Sequence, residues 1–104
     1  MALIVLEKPE WLNIIGQYLR KIAAIFGNRI IKILVAPNPD NLVYDANVII
    51  VVSKLEDEDF KKALNAAREL EKSMDLDIMI LPCVVEKGSI IELEAEGKWI
   101  ESSG

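Results

Sequence analysis

The sequence contains no histidine and a single cysteine, Cys83, and each shortage removes a class of chemistry. Without His the commonest general base and zinc ligand is gone, so Ser-His and Cys-His nucleophiles cannot be assembled from this chain alone. A lone Cys83 cannot close an internal disulfide, which agrees with a reducing, cytoplasmic compartment. Basic charge is the scarcer sign: 12 Lys and Arg stand against 17 Asp and Glu, for a net charge of -5 at pH 7. Strong non-specific nucleic-acid binding depends on clustered cations that release counterions, and this balance weighs against it. No apolar run is long enough to span a bilayer, so no membrane partner is expected. The opening "MALIVLEKPEW" has no basic residues ahead of its brief apolar run and does not read as a signal peptide.

What is present is an ordinary globular composition. The 104 residues are 52% hydrophobic and 28% charged, enough for one domain with a real core and too few for two. Abundant Ile, Glu and Lys with scarce Gln is a composition seen in thermophiles. Pro9 suits the first turn of a helix that Gly27 would close, with Trp11, Ile15, Tyr18, Ile22 and Ile25 inward and Leu12, Leu19, Ala23 and Phe26 widening the stripe. That makes Trp11, Tyr18 and Phe26 core residues. "RIIKILVA" reads as a strand over Ile30 to Val35, "PNPDN" as a turn, and the wholly apolar "NVIIVVS", Asn47 to Ser53, as a central strand covered on both faces.

Glu56, Asp57, Glu58 and Asp59 read as the solvated start of a second helix, Asp57 to Ser73, with Leu55 and Phe60 spaced for a hydrophobic staple. Its inward residues are predicted to be Phe60, Ala63, Leu64, Ala67, Leu70 and Met74. A third strand is predicted over Asp77 to Leu81, ended by Pro82. In the tail, Ile91, Leu93 and Ala95 alternate with acids as in a strand, while Ser89 and Gly97 are spaced to cap a short helix. Cys83 reads as a small packing residue, and Trp99 as an edge-strand anchor or an exposed contact. The sum is an α/β (α+β) domain, a mixed sheet flanked by helices.

The candidate site lies where "YDANVIIVVS" begins. Asp45 and Asn47 are two apart, so on a strand they would project to one side from its N-terminal mouth. A carboxylate and an amide in that position are also common turn residues.

From Ile30 to Ile100 the chain resembles the minimal nucleotidyltransferases of the DNA polymerase β type. "KILVAPNPDNLVYDANVIIVVS" looks like that family's strand, phosphate loop and Asp-x-Asp strand, "MDLDIMIL" like its third-carboxylate strand, and "SIIELEAEGKWIE" like its closing helix, Gly and terminal strand. The resemblance therefore implies a helix in the tail. It places Asp45 on the first metal-binding Asp, Asn47 on the second and Asp77 on the third carboxylate, which helps deprotonate the attacking hydroxyl, with Asp75 as a same-face substitute. It places Ala36 and Pro37 on the Gly-Ser turn that holds the NTP triphosphate. Pro37 has no N–H to offer, and Asn47 lacks the charge that Mg²⁺ favours, so any Mg²⁺ or NTP would be held weakly. Asn47→Asp would be expected to restore cation binding. The resemblance thus implies a degenerate member that binds a small helical partner or a second copy, in an antitoxin-like or regulatory role; the alternative is an active enzyme moving a nucleotidyl group from an NTP to a protein or nucleic-acid hydroxyl.

Overall fold

Backbone amides and sheet register explain how the chain arranges these elements in the computed structural model, which describes residues 9–74 and 77–102. Helix α1, Pro9–Phe26, ends in a 3₁₀ turn at Gly27–Arg29, where Gly27 takes φ 56° in the left-handed region. Strand β1, Ile30–Val35, leads through a loop to β2, Val48–Val52; α2, Asp59–Met74, then crosses to β3, Pro82–Glu86. A short α3, Ile90–Glu96, and β4, Ile100–Ser102, complete the α+β fold.

The sheet has the order β3-β2-β1-β4. It is mixed: β1 runs antiparallel to β2 and β4, while β2 and β3 are parallel, with Val48 opposite Pro82 and Ile50 opposite Val84. Alternation along the strands creates two cores. Ile33, Val35, Val48, Ile50, Val52 and Val84 face α1 and α2. Leu34, Ala36, Ile49, Val51 and Val85 face the other way, towards Ala95 of α3 and Trp99. Every residue of β2 is fully buried, as expected of a strand covered on both faces.

Helix α1 is rotated slightly from the expected stripe. Trp11, Ile14, Ile15, Tyr18, Ile22 and Phe26 are buried, while Leu12, Ala23 and Ile25 are exposed. The Tyr18 hydroxyl donates to the Ala63 carbonyl of α2 at 2.8 Å, which fixes the two helices in register. Phe60 is corrected from inward to half-exposed; the buried residue at the start of α2 is Asp59 instead. Asp59 receives both Arg29 guanidinium nitrogens, at 3.0 and 2.6 Å, and the Glu56 N–H three residues back at 2.8 Å, half of a capping box. The Arg29 hydrogen bond outweighs burial and holds the Asp59 carboxyl below its usual range.

The third strand also differs from expectation. It begins at Pro82 rather than ending there, and residues 77–81 are irregular. Pro is tolerated as the first residue of an edge strand, where its missing N–H breaks no ladder bond. The preceding backbone is held by side chains: the Ile80 N–H donates to the Glu71 carboxylate at 2.5 Å, and the Leu81 N–H to Asn47 Oδ1 at 2.8 Å. Helix α3 forms as expected, with Ser89 Oγ capping the Glu92 N–H at 3.1 Å.

Candidate functional site

The loop from Ala36 to Asn47 joins β1 to β2, and its backbone partners decide what it can hold. Ala36 is fully buried; its N–H donates to the Asn47 carbonyl at 3.0 Å, and its carbonyl accepts the Trp11 indole N–H at 2.7 Å. Pro37 follows with no N–H. Ala36 and Pro37, expected as a phosphate-holding turn, therefore present no free amide to an anion. Further along, the Asn38 side chain accepts the Asp40 N–H at 3.0 Å in an Asx turn.

Asp45 is not on a strand. Val43 and Ala46 exchange both backbone hydrogen bonds, at 3.0 and 2.9 Å, so Tyr44 and Asp45 form a two-residue hairpin loop. Both have positive φ, 49° and 61°, as a type I′ turn requires. Asp45 is exposed at its tip, and the expected same-side pairing with Asn47 does not form.

Asn47 is the fixed point of this region. It is fully buried, and its Nδ2 donates to the Pro39 carbonyl at 3.1 Å and the Met79 carbonyl at 3.0 Å. Its Oδ1 accepts the Leu81 N–H, and its own N–H reaches the Leu81 carbonyl at 2.9 Å. One side chain thus ties the 36–47 loop to the segment before β3. Only an amide supplies donors and an acceptor together; a carboxylate in this place would face two carbonyl oxygens. The expected metal ligand is here a structural clamp with no free oxygen turned to a cation.

Asp77 is exposed in a bend ahead of β3. Because β2 and β3 are parallel and Asn47 bridges their leading segments, Asp45 and Asp77 lie at the same end of the sheet. Asp75, the same-face substitute, lies outside the described residues. Among the described residues, no group of three or more His, Cys, Asp and Glu is placed to hold a metal ion. Cys83 is half-buried against the second core, and burial pushes its thiol up, away from the reactive thiolate.

The polar cluster that sequence reasoning missed lies beneath α3. Lys32 occupies a β1 position between Ile31 and Ile33, and its ammonium reaches Glu92 Oε2 at 2.9 Å, Glu96, and Glu101 at 3.9 Å. Glu92 is buried and also accepts the Gly88 N–H at 2.7 Å, where Gly88 has φ 90°. Burial alone would raise the Glu92 carboxyl, but the hydrogen bonds from Lys32 and Gly88 outweigh it and hold the carboxyl low. The hydrogen bonds that Lys32 donates, first to Glu96 and then to Glu92, raise its ammonium pKa. The available signal was Ser89-x-x-Glu92, a capping-box spacing that turns a glutamate back into the protein.

Trp99 is packed against the second core, 3% exposed, and its indole N–H has no hydrogen-bond partner among the described residues. Tyr44 reaches α3 with its hydroxyl, donating to Glu94 at 3.1 Å, a bond that raises the hydroxyl pKa. Among the described residues, no helix is long and apolar enough to cross a membrane. In comparisons with known proteins, no family model, curated protein or solved structure matches the chain.

Proposed function

We propose that this chain is a non-catalytic, partner-binding module of nucleotidyltransferase-like build, acting in the cytoplasm in an antitoxin-like or regulatory role. The observation that carries the reading is Asn47: both donors of its amide are spent on backbone carbonyls and its oxygen on Leu81, where a nucleotidyl-transfer enzyme needs a second carboxylate turned to a cation. The loop supports it, since the Ala36 amide is already bonded and Pro37 has none. The competing reading, an active nucleotidyltransferase, draws on Asp45 and Asp77 standing exposed at one end of the sheet, where the two carboxylates could share one Mg²⁺ ion. Isothermal titration with Mg²⁺ and ATP together tests the proposal. The module should give no saturable heat; tight binding of Mg·ATP that is lost in Asp45→Ala would reject it in favour of the enzyme.

A further inference from the structure

Lys32 is the only cation carried by the described strands, and it bonds to two elements at once. Its ammonium holds Glu92 and Glu96 of α3 and reaches Glu101 of β4, with the Lys32 side chain 16% exposed and that of Glu92 only 6%. The apolar hold on these two elements is small. Strand β4 pairs with β1 at three positions, 33–35 with 100–102, and α3 gives the second core Ile91 and Ala95, followed by Trp99 in the turn. The first core, on the opposite face of the sheet, takes no described side chain from residues 87–102. That segment can therefore leave the sheet without uncovering the first core.

We infer that α3 and β4 form a strap latched by Lys32, which opens as one unit when acid protonates the carboxylates around that residue, baring Leu34, Ile49, Val51 and the β1 edge while α1 and α2 stay packed. Acid removes the counter-charges but leaves the charge of Lys32, and a largely buried ammonium without an anion is costly. Opening returns it to water. No other titratable group on the neighbouring elements replaces the lost charge: β2 carries none, Glu86 at the end of β3 is turned to the Leu55 N–H, and Tyr44 bonds Glu94. Lys87, in the turn before α3, is a second cation acting on Glu92. The Glu92 carboxyl is held below its ordinary value of 4.5, so its contribution to closure is complete above that value and is lost as pH falls through the folded one. Such a unit sits at the low-stability end of the molecule and opens by itself.

Hydrogen exchange of the intact protein, corrected for intrinsic rates and followed residue by residue from about pH 7 to about pH 3, tests the strap. The two tryptophans report on opposite faces, Trp11 in the first core and Trp99 in the second. The Trp99 indole and the amides of residues 90–102 should lose protection first, by about tenfold per pH unit for each proton taken up, while the Trp11 indole and residues 14–22 keep theirs. Lys32→Met should invert this dependence. Glu92, then buried without its cation, opens the strap at neutral pH and lets it close on protonation. Loss of protection at 90–102 and 14–22 together throughout the range, or a Lys32→Met profile parallel to the parent's, would overturn the inference. Where Lys32→Met does not fold, Glu92→Gln decides: it should cut the acid-linked loss at 90–102 at least about threefold, and an unaltered loss would overturn the inference equally.

Discussion

Replacing Asn47 by aspartate is the most informative single change, because the family resemblance and the geometry predict opposite results. By resemblance it returns a missing metal ligand. In the structure it removes the two N–H donors that serve the Pro39 and Met79 carbonyls and sets a carboxylate against them in a fully buried place. Each orphaned carbonyl costs about 1–3 kcal/mol, so the loss at neutral pH is on the order of 4 kcal/mol. A domain of this size should then melt roughly 20 °C lower. The new carboxyl escapes part of the cost by taking up a proton, which lets it donate to one carbonyl. Its folded pKa is therefore raised above the ordinary value of about 3.9. A raised carboxyl pKa means that the deficit is smallest below that value and grows as pH rises through the folded pKa. Urea unfolding followed by circular dichroism should show Asn47→Asp far less stable than the parent near pH 7 and about half as far below it near pH 4. A variant within about 1 kcal/mol of the parent at both pH values, or one that gains saturable Mg²⁺ binding, would refute the clamp.

Other changes follow from the same bonds. Trp11→Phe keeps the ring packed but orphans the buried Ala36 carbonyl, and thermal unfolding should register a loss of about 1–3 kcal/mol. Glu92 and Asp59 have carboxyls held below their ordinary values of 4.5 and 3.8, so their stabilisation is complete above those values and disappears as pH falls through the lower folded pKa values. Glu92→Gln should accordingly flatten the acid limb of a stability-versus-pH curve; an unchanged limb would show that the Lys32 cluster contributes nothing. Tyr44→Asn relieves the left-handed strain, since Asn tolerates that region, and should leave stability equal or up to about 1 kcal/mol higher by thermal unfolding. A large destabilisation would mean that the Tyr44 bond to Glu94 matters more than the strain.

Those same particulars explain what the sequence could convey. The strand "NVIIVVS" was legible because an unbroken apolar run expresses one local rule, whereas in the tail a Ser-to-Gly frame competed with strand-like alternation and only the resemblance chose the helix that forms. The third strand was misplaced because side chains distant in sequence, Asn47 and Glu71, hold the backbone of residues 80–81 out of the ladder, and no local pattern records that. Asp59 inside "EDED" was invisible for a similar reason: its burial depends on Arg29, thirty residues earlier. At the candidate site, the positions of Asp45 and Asn47 were readable but their roles were not. A period of two assumes a strand, and the Val43–Ala46 hairpin ends that assumption one residue before Asn47.

The central claim is that the site performs no nucleotidyl transfer, and the most direct measurement is transfer of label from α-labelled ATP in the presence of Mg²⁺ to a co-purified partner. The account predicts no labelled product from the unmodified protein, and none from Asp45→Ala or Asp77→Ala. Label appearing on the partner with the unmodified protein and vanishing in Asp45→Ala would contradict it and establish the enzyme.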